Sequence, residues 1–223
     1  MIKLHCGNNI DLIKLEPDKS IDCVITSPPY FNTARKYQRG DGSHYSSDFP
    51  EPLYNIIDIM ENIKPKLKDK AVVCINLGFS YGETGVSRPF DIINRLKEKC
   101  GYFLVDNIIW FKKNPIPLRN RLTNSYEYIF VLSNSPHIIY KNKKHKLNVI
   151  HESVSSYKGH SAVMPESIVK HLLETFTDEG DIILDCYMGS GTTASVCKQL
   201  NRNCIGYEIN KNYVELSQKR LSQ

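Results

Sequence analysis

Residues 181–208 constrain the fold more than any other stretch. Asp181-Ile182-Ile183-Leu184-Asp185 is a short apolar run that stops at a carboxylate, and Cys186-Tyr187-Met188-Gly189-Ser190-Gly191 is a glycine turn. Thr192 to Leu200 follows with helical composition, and Asn203 to Tyr207 is a second strand ending at Glu208. Strand, turn, helix, strand is a βαβ unit, and parallel strands joined in this way belong to a sheet with both faces covered.

The same stretch reads as a nucleoside-cofactor site. A helix starting at Thr192 aims its backbone N–H groups and positive end at whatever fills the turn. Glu208 stands at the tip of the next strand, close to the roughly 20-residue spacing of an acid that grips ribose hydroxyls. The third glycine of a dinucleotide fingerprint is missing, because Thr192, Thr193 and Ala194 follow Gly191. That favours S-adenosylmethionine over a cofactor with a pyrophosphate.

A second stretch demands a partner of this kind. Cys23, Val24 and Ile25 form a strand covered on both faces, which Pro28 and Pro29 end by withholding N–H donors and fixing φ. The stiff turn after Thr26 leaves the carbonyls of Ser27 and Pro28 as acceptors with few local donors, beside the Ser27 hydroxyl and the Tyr30 ring. Seen alone it is a proline loop after a buried strand. Set beside the glycine turn, it is a socket for a flat ring bearing an amino group.

The remainder of the chain reads as alternating strands and helices. Residues 2–5 are a short strand, followed by a brief helix through Leu12 and Leu15. A helix is expected over roughly 52–67, a strand over Ala71–Leu77, and a helix from an N-cap at Ser87 to about Lys99 that buries Phe90, Ile93 and Leu96. Tyr102–Phe111 and Tyr126–Leu132 are strands that can pair antiparallel. A helix from Pro165 to Phe176 and another from about Lys211 to Leu221 complete the set. The expected fold is therefore α/β: one doubly wound, mostly parallel seven-stranded sheet with one antiparallel strand, in a single domain over 1–223. Residues 31–50 have the composition of a long functional loop. Residues 134–160, with Lys141, Lys143, Lys144 and Lys146, read as an irregular basic segment.

Composition excludes several classes. The chain has 223 residues, of which 41% are hydrophobic and 24% charged, so a buried core is attainable and disorder is not expected. No apolar stretch approaches the roughly 18 residues of a membrane span, and Met1 leads straight into a strand-like pattern, so no membrane partner and a cytoplasmic location are expected. The seven cysteines form no C-x-x-C pair and read as reduced core residues without a zinc site. A net charge of +5 permits a nucleic-acid partner without requiring one.

Together the two motifs resemble those of amino-methylating DNA methyltransferases, in the permuted order in which the catalytic half precedes the cofactor half (the β group). Thr26-Ser27-Pro28-Pro29-Tyr30 is similar to that family's catalytic motif, and Asp185 to Thr193 to its cofactor loop. Gly159-His160-Ser161-Ala162-Val163-Met164-Pro165 resembles the segment touching the methionine end of the cofactor, with Ser161 where proline is usual. Arg121 and Glu127 also match. Gly7-Asn8 stands where the family commonly has Gly-Asp, whose acid contacts the cofactor adenine.

The resemblance implies a fold and a reaction. The sheet would be Rossmann-like, with the strands ending at Thr26 and Asp185 adjacent. S-adenosylmethionine would be held by Gly7, Asn8, Thr26, His160, Ser161, Ala162, Asp185, Tyr187, Met188, Gly189, Ser190, Gly191, Thr192, Thr193 and Glu208, with no metal. Ser27, Pro28, Pro29 and Tyr30 would act on an exocyclic amine of a base flipped from double-stranded DNA. Arg35, Lys36, Arg39, Lys141, Lys143, Lys144 and Lys146 would contact the DNA, with 134–160 as target-recognition segment. Ser-Pro-Pro-Tyr points to cytosine N4 within a restriction-modification system. Adenine N6, and a non-catalytic cofactor-binding DNA module, stay open as alternatives, as does a homodimer or a companion methyltransferase or restriction endonuclease.

Overall fold

The computed structural model describes residues 1–29, 37–38, 44–45, 51–79, 88–117, 122–141, 147–157 and 160–223. The first strand, β1 (Ile2–Cys6), leads to α1 (Asn9–Ile13), which Asn8 caps by accepting from the Ile10 N–H, and then to β2 (Ile21–Thr26). Two-residue strands β3 (Tyr37–Gln38) and β4 (His44–Tyr45) pair antiparallel within the stretch expected to be a loop. Next come α2 (Glu51–Ile63), β5 (Leu67–Leu77), α3 (Arg88–Cys100), β6 (Phe103–Lys112) and β7 (Tyr126–Ser133). The chain continues through β8 (Val149–Glu152), β9 (Ser155–Tyr157), β10 (His160–Val163), α4 (Glu166–Phe176), β11 (Ile182–Asp185), α5 (Thr192–Gln199), β12 (Asn203–Glu208) and α6 (Lys211–Leu221).

Eight strands form the main sheet in the order β1-β12-β11-β2-β5-β7-β6-β8. Every neighbouring pair is parallel except those made by β7, which runs antiparallel to both β5 and β6. The sequence indicates seven strands. The eighth, β8, lies in the segment read as irregular, where four residues at a sheet edge are too few to show a period. The expected adjacency holds, since Ile183 and Leu184 of β11 pair with Cys23 and Val24 of β2. Connections leave in opposite directions from β11 and β2, so the switch point where α/β sheets bind ligands lies between them.

Alternation along β2 and β5 divides the core. Val24, Val73 and Ile75 face α1, α2 and α3, whereas Cys23, Ile25, Val72 and Cys74 face α4 and α5. Six of the seven cysteines are buried, and Cys6 is exposed. Helix α2 stops at Ile63 because Pro65 cannot continue its hydrogen bonding, and a 3₁₀ turn, Lys64–Lys66, replaces the last expected turn. Strand β5 starts earlier than its apolar run, because Lys68, Asp69 and Lys70 are exposed ladder residues with no hydrophobic signal. Ser87 lies outside the described residues. Ile93 and Leu96 of α3 are buried, but Phe90 is not. It is 45% exposed, its ring edge on Tyr128 and Phe130.

Candidate active site

The site is built where β11 and β2 end together. Asp185 closes β11 with its carboxylate buried, and the hydroxyl of Thr26 at the end of β2 donates to Oδ1 at 2.9 Å. Thr193, at the start of α5, donates to Oδ2 at 2.7 Å, and the Tyr187 N–H reaches Oδ1 at 3.2 Å. Burial pushes the Asp185 pKa up, and these three donors hold it back in part. One carboxylate thereby joins the end of β2, the turn and the following helix.

The glycine turn is held from below and behind. Met188 gives its N–H to the Tyr207 carbonyl at 2.9 Å, and its side chain lies over Gly206, where a Cβ would sit 2.4 Å from Sδ. Met188 is thus buried beneath the turn. Gly189 and Gly191 have φ of +53° and +77°, a left-handed conformation that suits glycine. Behind Gly191 stands Ser217 of α6, whose Oγ donates to the Gly189 carbonyl at 2.9 Å.

Glu208 closes β12 next door. Its carboxylate accepts the Gly189 N–H at 2.9 Å and the Asn210 N–H at 2.8 Å. Burial raises its pKa, and those backbone donors lower it in part. Its carbonyl accepts the Gly7 N–H at 2.9 Å, which brings the end of β1 to the site. Asn8 spends its side-chain oxygen on the α1 cap. Asn9, which no sequence signal singled out, donates to the Cys186 carbonyl at 3.0 Å and is buried. The Tyr187 hydroxyl hydrogen-bonds Asn55 of α2.

Ser27 and Pro29 are half-buried and Pro28 is buried, directly after the Thr26–Asp185 link. The backbone of His160, Ser161 and Ala162 forms β10, paired with β9 through His160–Tyr157 and Val163–Ser155. Tyr30, Arg35, Lys36, Arg39, Arg121, Lys143, Lys144 and Lys146 lie outside the described residues. Lys141 pairs with Asp178, and its N–H bonds Thr175 at the carboxyl end of α4, near the amino-terminal ends of the strands and across the sheet from Ser27.

Three further side chains lie at this end of the sheet. Glu127 of β7 accepts from Asn76 of β5 at 2.9 Å and pairs with Lys112 of β6 at 2.8 Å. No helix among the described residues is long and apolar enough to cross a membrane.

The donor set fits S-adenosylmethionine. Two carboxylates flank the turn, which suits hydroxyl and ammonium donors and a sulfonium cation and disfavours phosphate. Gly189 and Gly191 themselves carry no side chain, so a ligand can approach their backbone. Asp185 and Glu208 each retain acceptor capacity beyond the bonds described, since an ionised carboxylate has about four lone-pair sites.

Fold and site together define an α/β enzyme of the methyltransferase class. A family model described as DNA methylase matches residues 21–219, and the chain belongs to that family, for which S-adenosylmethionine is the methyl donor. It is 28% identical over 264 residues to the type II methyltransferase M.SmaI of Serratia marcescens, a match spanning 98% of this chain and 90% of that one. Among solved structures, PvuII DNA methyltransferase (cytosine-N4-specific) superposes with a TM-score of 0.84 at 20% identity, covering 98% of this chain and 86% of its own. The M1.HpyAVI–SAM complex gives a TM-score of 0.74 at 25% identity and covers 100% of both chains.

Proposed function

We propose that the protein is a DNA methyltransferase acting on the exocyclic N4 of cytosine in a restriction-modification system, a reading that its similarity to the type II methyltransferase M.SmaI supports. One observation carries the reading: the 2.9 Å hydrogen bond from Thr26 to Asp185, which sets the Ser27-Pro28 turn beside the glycine turn. Membership of the DNA methylase family supports it.

The chain's own residues do the following in this reading. An exocyclic amine is a weak nucleophile because its lone pair is delocalised into the ring. Ser27 Oγ and the Pro28 carbonyl accept its two N–H bonds, which favours a tetrahedral nitrogen whose lone pair points away from the ring. The stiffness of Pro28-Pro29 holds both acceptors in place before the base arrives, so that positioning and fixed dipoles lower the barrier. S-adenosylmethionine, when bound, supplies an electrophilic methyl group on sulfur. Glu208 takes the ribose hydroxyls, Asp185 sets the turn, and Tyr30 stacks on the extruded base. Arg35, Lys36, Arg39, Lys143, Lys144 and Lys146 reach DNA phosphates and base edges.

Nucleoside mass spectrometry of duplex DNA incubated with the protein and S-adenosylmethionine tests the base assignment. N4-methylcytosine is the expected product. N6-methyladenine in its place would replace the cytosine assignment with adenine, and absence of both would overturn the enzymatic reading in favour of a cofactor-binding DNA module.

A further inference from the structure

The side of the glycine turn facing α6 carries a contact that the reading above does not use. Arg220, in the last turn of α6, is 9% exposed at its side chain. Its Nη1 donates to Thr192 Oγ1 at 2.9 Å and to the Ser190 carbonyl at 3.4 Å, and its Nη2 donates to Glu166 Oε1 at 2.7 Å. Its guanidinium carbon lies 4.5 Å from the centroid of the Tyr157 ring. One planar group therefore touches the turn, the first residue of α4 and strand β9. Strand β9 pairs with β10, the strand of His160, Ser161 and Ala162.

We propose that Arg220 is a positioning residue for cofactor binding, locking the Gly189–Thr192 turn to the β9–β10 hairpin. The proposal rests on the reading that the cofactor lies against that turn. Ser217, one helical turn earlier, already fixes the Gly189 carbonyl. In a trans peptide the N–H opposes the carbonyl, so the Ser190 N–H faces away from α6. Arg220 secures the next carbonyl, and the Gly191 N–H closes onto Met188 at 3.0 Å. The Ser190 N–H, which has no backbone partner among the described residues, thus lies on the side of the turn away from α6. The fork and the contact with the ring need a guanidinium, because an ammonium is a point charge that cannot span Ser190, Thr192 and Glu166 while also standing over the Tyr157 ring.

Calorimetric titration of the full chain with S-adenosylmethionine tests this, beside urea unfolding of each variant. Wild type should bind. Arg220→Ala should weaken binding by about tenfold or more, as for a side chain coupled to several partners at once. Arg220→Lys should recover part of the loss, and Tyr157→Leu should weaken binding several-fold by itself but add little to Arg220→Ala. In steady-state assays the KM for the cofactor should rise more than kcat falls. A folded Arg220→Ala protein binding within about twofold of wild type would overturn the proposal. So would wild-type affinity in both Arg220→Lys and Tyr157→Leu, the decisive pair should Arg220→Ala fail to fold. Absence of binding by wild type would instead overturn the cofactor reading, and the proposal with it.

Discussion

Thr26 and Asp185 lie 159 residues apart in the chain and 2.9 Å apart in the fold. The Thr26 hydroxyl also receives the Cys186 thiol at 3.6 Å, so the residue after the carboxylate is tied to the same knot. The consequence is mechanical. The turn that would hold the base and the turn that would hold the cofactor share one buried carboxylate, and a shift of either strand end would move both.

That carboxylate carries a cost which pH can expose. Burial raises the folded-state pKa of Asp185, so its ionised form is penalised relative to the unfolded chain, where an aspartate titrates at about 3.9. The group's contribution to stability is fully present below that unfolded value and is lost as pH rises through the folded one. Asp185→Asn stays neutral, and its amide can be served by Thr193 turning its hydroxyl round to accept. The variant should therefore be more stable than wild type at pH 7, with the advantage shrinking as pH falls towards 4, while affinity for S-adenosylmethionine drops. Urea unfolding across that range checks it, and an advantage that grows on acidification would contradict the assignment.

Ser27→Ala removes one of the two proposed acceptors and leaves the Pro28 carbonyl. Loss of one preorganised group aimed at developing charge typically costs about 10²–10³ in rate. Methyl transfer to duplex DNA should fall by that much, with the affinity for S-adenosylmethionine close to that of wild type, as followed by labelled-methyl incorporation and calorimetry. Transfer at the wild-type rate would remove Ser27 from the mechanism.

Much of this was legible because the signals were local. A strand that ends in a carboxylate, a turn with two glycines and a strand stopped by two prolines each declare themselves within about ten residues. Even the antiparallel β7 showed as an apolar run placed after β6. What stayed hidden depends on tertiary neighbours. Strand β8 owes its existence to pairing with β6 through Ile109–Val149 and its neighbours, not to a period of its own. Phe90 falls on the apolar stripe of α3 yet stands 45% exposed, its ring against Tyr128 and Phe130. Ser217 and Arg220 look like ordinary helix residues, and only the packing of α6 behind the turn gives them a task.

The pair Lys112–Glu127 separates removing one charge from removing both. Each side chain is 11% exposed, and the contact is 2.8 Å. Glu127→Ala strands a buried ammonium and leaves Asn76 without one of its partners, which should cost about 3–5 kcal/mol. Replacing both, as Lys112→Met with Glu127→Leu, removes the charges together and should cost clearly less. Chemical denaturation of the two proteins decides, and a double variant at least as destabilised as the single one would show that the pair contributes net stability.

Two glycines with nearly the same φ distinguish conformational strain from contact at the turn. Gly180 has φ +84° with nothing within 4 Å of the position a Cβ would take, whereas at Gly191, with φ +77°, that atom would lie 2.8 Å from Ser217 Cβ. Gly180→Ala should therefore cost only the left-handed strain of an alanine, about 1–2 kcal/mol. Gly191→Ala adds a collision with the helix that holds the Gly189 carbonyl, so it should lose distinctly more stability. It should also weaken S-adenosylmethionine binding, which Gly180→Ala should not, because pushing α6 back releases the turn proposed to meet the cofactor. Thermal unfolding and calorimetry on the two variants make the comparison, and equal losses of stability with equal affinities would mean that the close approach of α6 does not shape the site.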